Sequence, residues 1–246
     1  VDHGEIVDYR SRKELDVMFK LLPDDQYCKT CQYPLRPGPW GPCEMCYERA
    51  KADAKTLQTW KEMMGGEKAW VEYTKDRYVL TAFNSHAFAG ASTWDHRKGS
   101  LLLMGPKGTG KSHLAAIVKR PLVMSGTLVR TVFMQEELDA ARQDLKRKDQ
   151  AKDRISSMIS VPVLSIEDLG VEKASEWVVN EWYYKIVDGR YRARKHGLII
   201  TMNQTLDELE YYWMRFDPHG RVVSRLKEMC RGHIYDFRGE KDWRSE

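Results

Sequence analysis

No stretch of the 246-residue chain approaches the roughly 20 consecutive apolar residues of a membrane-crossing helix. Its first residues, Val1 to Arg10, are charged where a secretion signal would carry an apolar core. These two absences predict a cytoplasmic protein with no membrane partner. Charge of one sign is not in excess either: 40 Lys and Arg against 36 Asp and Glu leave a net charge of +4, which permits contact with nucleic acid without requiring it. Internal repeats and low-complexity tracts are missing, and 42% hydrophobic residues with 17 Gly and 9 Pro exclude disordered and collagen-like chains. The length suits one α/β domain plus a small module.

Cysteine is scarce but clustered. Of 5 cysteines, Cys28, Cys31, Cys43 and Cys46 form two C-x-x-C pairs, and Cys230 stands apart. Two tight turns that each aim two thiolates at one point suit a tetrahedral Zn²⁺ site, with Pro39, Gly41 and Pro42 supplying turn chemistry before the second pair. In a chain without a secretion signal, paired disulfides are the weaker alternative. A ribbon this small has little core, so the zinc is read as structural and the module as a presented surface. Tyr27, Tyr33, Trp40 and Tyr47 around the ligands serve as packing or as partner anchors. Cys230 is read as a core residue.

Proline is absent between Pro42 and Pro106. A helix therefore leaves the cysteine module near Glu44 and ends at the Gly65-Gly66 pair, which divides the chain into a zinc-ribbon module with exit helix (1–64), a connecting segment (65–98) and a larger second domain (99–246). Beyond Gly99, apolar runs alternate with helical patterns. Strands are predicted at Leu101–Met104, Thr127–Met134, Val161–Ile166 and Leu198–Met202, and helices at Ser112–Lys119, Gln135–Lys148 and Ser175–Arg192. The alternation predicts an α/β fold, a parallel sheet flanked by helices.

Residues Gly105, Pro106, Lys107, Gly108, Thr109, Gly110, Lys111 and Ser112 match G-x-x-x-x-G-K-[ST] between a predicted strand and a predicted helix. Its glycines let backbone N–H groups turn toward phosphate oxygens at a helix N-terminus. Lys111 is placed to reach the β and γ phosphates of ATP, and the Ser112 hydroxyl to ligate Mg²⁺. Downstream, Val163 to Asp168 is an apolar strand ending in two carboxylates. One is expected to hold the magnesium and the other to polarise the attacking water; we assign Glu167 to the metal and Asp168 to the water, although such pairs more often begin with Asp.

Five segments in this order, Gly105–Ala115 (GPKGTGKSHLA), Ser165–Gly170 (SIEDLG), Ile186–Tyr191 (IVDGRY), Ile199–Leu209 (IITMNQTLDEL) and Arg221–Leu226 (RVVSRL), resemble the AAA+ ATPases of the DnaC/DnaI type that load replicative helicases in bacteria and phages. The resemblance covers about Gly99 to Cys230, and His113-Leu114 after the P-loop is among its discriminating features, so His113 joins the nucleotide-binding set. It implies that Asn203 is the sensor residue orienting the attacking water and that Arg221 is an arginine finger completing the ATP site of a neighbouring subunit in an oligomer. It also implies a domain without a helical lid, and a metal module that grips the replicative hexameric helicase. In initiator-type relatives a helix at the position of Gln135–Lys148 lines a single-stranded DNA path, which makes Arg142 and Lys146, spaced to share a face, candidate phosphate contacts. The expected function is ATP-dependent helicase loading at replication initiation. Two alternatives remain open: an IstB-like helper ATPase for DNA transposition, and a zinc-ribbon binding module with a structural nucleotide.

Overall fold

A computed structural model describes residues 55–143, 148–194 and 197–243. Cys28, Cys31, Cys43, Cys46 and Lys146 lie outside the described residues.

Five parallel strands build the sheet: β1 (Leu101–Met104), β2 (Val129–Phe133), β3 (Val163–Leu169), β4 (Leu198–Met202) and β5 (Ile234–Asp236), in the order β2-β3-β4-β1-β5. β1, β3 and β4 are almost wholly buried, as expected of largely apolar strands covered on both faces. Alternation along the strands sorts the core. Leu102, Ile166 and Ile200 face a layer containing Trp182, Ile186 and Leu226, whereas Leu101, Leu103 and Ile199 face one containing Leu114, Ala115 and Val118.

Helix α1, described over 55–64, stops at the predicted Gly65, and α2 (Glu67–Val71) and α3 (Ser85–Ser92) follow. Expected as a connector, this stretch instead contributes core: Ala87, Ala91 and Trp94 are buried with Met64 and Leu114, and one compact unit runs from Thr59 to the end of the chain. α4 (Lys111–Met124) continues beyond the predicted Lys119 and through Pro121. A helix-interior proline forfeits a ladder hydrogen bond, and burial of Val118 and Val123 on either side offsets that loss.

Of the predicted helix over Gln135–Lys148, the described residues belong to α5 (Met134–Gln143) and to the start of α6 (Lys148–Ser160), which precedes β3. The predicted helix over Ser175–Arg192 splits into a π-helical stretch (Trp177–Tyr184) and α7 (Lys185–Arg192). Val178, Val179, Trp182 and Tyr183 of the π-helical stretch are all buried in the core. α8 (Leu206–Trp213) opens on a capping box in which Thr205 and Glu208 satisfy each other's backbone N–H groups. α9 (Arg221–Met229) buries Val222, Val223, Leu226 and Met229. After β5 the described chain runs to residue 243 without another helix. No described helix is long and apolar enough to cross a membrane.

Arg190 on α7 is fully buried. Its guanidinium donates to the carbonyls of Met158, Ile159, Val161, Pro162 and Gly197, which gather where α6 ends and where β3 and β4 begin. Burial brings its pKa down to about 10, so the cation persists at neutral pH.

Candidate nucleotide site

The P-loop joins β1 to α4, and its glycines take conformations that other residues avoid: φ is 129° at Gly105, 80° at Gly108 and 90° at Gly110. Close approach adds to the requirement. A Cβ on Gly108 would lie 1.7 Å from Asp242 Oδ1, and Trp243 N–H donates to the Gly108 carbonyl.

Lys111 is 5% exposed, and its ammonium donates to the carbonyls of Gly105 and Pro106 at 2.7 and 2.6 Å. The hydroxyl of Thr109 donates to Pro106 as well, at 2.9 Å. The loop thus holds the charge of Lys111 directly beneath the cradle. Residues 107–113 line a groove of about 350 Å³ with Asp168, Asn203, Tyr73 and Trp243. Ser112, at the start of α4, and Asp168 bring hard oxygen donors to this groove, the donor type that suits Mg²⁺.

His113 lines the groove and also anchors the preceding segment. Its Nε2 lies 2.8 Å from the Thr74 carbonyl, and its ring stacks on Tyr73 and meets Tyr78 edge-on. Burial lowers its pKa against the opposing pull of that carbonyl, and because a carbonyl oxygen only accepts, Nε2 is the donor of this bond. Tyr73 and Trp243 belong to the groove lining and escaped the sequence reading, because neither carries a motif and one lies in the expected connector.

The two carboxylates of β3 part company. Asp168 faces the groove with its backbone in the left-handed region, at φ 53°, and its N–H donates to Thr201 Oγ1 at 3.0 Å. Glu167 points into the core. Its Oε1 accepts from Lys119 at 3.0 Å and from Ser165 at 3.1 Å, and its Oε2 accepts from Thr201 at 2.9 Å. Burial raises its pKa, and the charge of Lys119 with these three hydrogen bonds outweighs burial and holds it low. Both oxygens of Glu167 thus have core partners, and Asp168 is the acid of the pair that lines the groove.

Asn203 lies just beyond β4, half-buried, in the same groove. Arg221 lies elsewhere. Its Nε donates to Asp217 at 2.9 Å and an η nitrogen to Asn180 at 3.0 Å, while the guanidinium sits 4.4 Å from the Tyr184 ring centre. It borders a second groove, of about 740 Å³, between α6 and α7, and its side chain remains 40% exposed. Arg225 is turned onto Asp188 at 3.0 Å. Arg142 pairs with Asp139 at 2.6 Å, and its shared face with Lys146 falls outside the described residues. Cys230 is buried as expected, its thiol pushed up to about 12 by burial. Among the described residues no group of His, Cys, Asp and Glu is arranged to hold a metal ion, and the four proposed zinc ligands are not among them.

The family model described as IstB-like ATP binding protein matches residues 84–219. A Sinorhizobium fredii protein named as an insertion sequence ATP-binding protein is 30% identical over 154 residues, 61% of this chain and 48% of that one. The Escherichia coli replicative helicase loader DnaC is 25% identical over 120 residues, 47% of each chain. The chain thus spans about half the length of the curated relatives it matches. The crystal structure of DnaI superposes with a TM-score of 0.56 at 20% identity, covering 69% of this chain and 92% of that one, which shows the shared fold.

Proposed function

From the premise that the chain belongs to the IstB-like ATP binding protein family, whose model spans more than half of it, we propose that it is an AAA+ ATPase that loads a replicative hexameric helicase onto single-stranded DNA. The observation that carries the ATPase reading is the convergence of Lys111, Ser112, Asp168 and Asn203 on one groove at the ends of β1, β3 and β4. Ligands of open α/β sheets bind at the carboxyl ends of strands. Lys111 pairs with the β and γ phosphates, exchanging loop carbonyls for phosphate oxygens. Ser112 and Asp168 would hold Mg²⁺, which would supply charge to offset that developing on the transferred phosphoryl group. Asp168 and Asn203 orient the attacking water. Arg221, outside this groove, serves the site of a neighbouring subunit.

For the client, the likeness to DnaC and to the DnaI fold supports a loader, and the cysteine module (1–64) supplies a surface for the helicase. Arg142 and Lys146 are proposed to contact the DNA backbone. The likeness to the Sinorhizobium fredii protein favours a second reading, a helper ATPase for transposition. Pull-down of the replicative helicase by the full chain with ATP, lost in a chain lacking residues 1–54, is the expected result. Capture of a transposase without helicase would reverse the assignment.

Zinc is proposed to hold the cysteine module together. Purified protein is expected to contain close to one zinc per chain by elemental analysis, and Cys28→Ser to lose it while still binding ATP, because the residues lining the nucleotide groove lie within the unit that begins at Thr59. Full zinc content in Cys28→Ser, or none in the wild type, contradicts that site.

A further inference from the structure

Thr201 is buried one residue from the end of β4, paired in register with Leu103 of β1. Opposite it the β3–β4 ladder slips, with a register shift between Ile166 and Leu169. Asp168 lies within that slip, one of two residues other than glycine with positive φ among those described. Its amide donates to the hydroxyl of Thr201.

A hydroxyl has a single proton to give. Thr201 gives its proton to Glu167 Oε2, so its lone pairs are turned toward the Asp168 N–H. The direction of this hydroxyl is therefore set by Glu167. Glu167 is fixed in turn by Ser165 and Lys119. Lys119 also donates to the Met64 carbonyl and to Thr131, and Thr131 donates to the Met63 carbonyl. A continuous set of hydrogen bonds thus runs from the end of α1, through the core, to the backbone of the acid in the groove.

We propose that Thr201 is a positioning residue for ATP turnover: its hydroxyl, oriented by Glu167 and Lys119, holds Asp168 in the left-handed conformation that presents its carboxylate to the groove. Glu167 then acts through Thr201 and not on the metal. The inference rests on the ATPase reading above and assigns a role to a polar cluster that lies outside the groove lining.

The test uses the full chain with saturating Mg²⁺ and ATP. Thr201→Val replaces the hydroxyl by a methyl of similar size and leaves the Asp168 amide without its acceptor. An ångström of misplacement can cost about a hundredfold in rate, so kcat is expected to fall by about that factor while the Kd for a non-hydrolysable ATP analogue stays within about threefold. Thr201→Ser, which restores the hydroxyl, is expected to recover most of the loss. Glu167→Gln provides a second route if Thr201→Val fails to fold: kcat falls, and the Mg²⁺ concentration for half-maximal turnover stays as in the wild type. Wild-type turnover in Thr201→Val, equal loss in Thr201→Ser and Thr201→Val, or a raised Mg²⁺ requirement in Glu167→Gln overturns the inference alone. A wild-type chain that binds ATP and never hydrolyses it overturns the ATPase reading and the inference together.

Discussion

Lys111→Ala and Arg221→Ala are each expected to be inactive alone, and mixing the two is expected to recover part of the wild-type ATPase rate. Arg221 does not line the groove that contains Lys111 of its own chain, and its side chain is held ready at the surface by Asp217, Asn180 and Tyr184. An arginine supplied from a neighbouring subunit can accelerate phosphoryl transfer by about 10³ to 10⁵. In the mixture, a junction that sets the intact Lys111 of one variant against the intact Arg221 of the other has one complete site. Activity per chain is also expected to rise with protein concentration in the wild type. Arg225→Ala serves as comparison; its ion pair with buried Asp188 and its hydrogen bond to the Arg221 carbonyl commit it to the protomer's own structure. Full activity of Arg221→Ala by itself places the finger elsewhere. A dead mixture of folded, associating variants shows that the site is not shared.

Asp168→Ala is expected to bind ATP and to lose turnover by about 10² to 10⁴, the range typical of a group that acts on the reacting water. Lys111→Ala loses tight binding instead, because its ammonium pairs with phosphate in the ground state as well as in the transition state. Equilibrium binding of a fluorescent ATP analogue and single-turnover phosphate release separate the two effects. Turnover at the wild-type rate in Asp168→Ala would show that the other carboxylate does the chemistry, against the burial of both Glu167 oxygens.

The strands of the sheet centre were legible because β1, β3 and β4 are buried on both faces and carry short, largely apolar runs, and the phosphate loop because its glycines are fixed by backbone geometry at a set spacing. Which carboxylate enters the groove was not legible. A strand of period two places neighbours on opposite faces, but the slip in the ladder near Asp168 and the cation at Lys119, far away in sequence, decide which neighbour goes where. Residues 65–98 misled for another reason: Ala87, Ala91 and Trp94 bury themselves in short elements with too few turns to establish a period. The π-helical stretch was equally silent, since its apolar residues fit an ordinary helix and only packing against the sheet selects the wider turn.

The grip of Arg190 on five carbonyls has a mechanical consequence. It fastens the starts of β3 and β4 to the end of α6, at the pole of the sheet remote from Asp168 and Asn203. A guanidinium with that many acceptors has no single bond whose rupture frees it, so this pole of the sheet stays clamped when any one of them is lost. α7, which carries Arg190, is thereby tied to the same two strands whose other ends lead to Asp168 and Asn203.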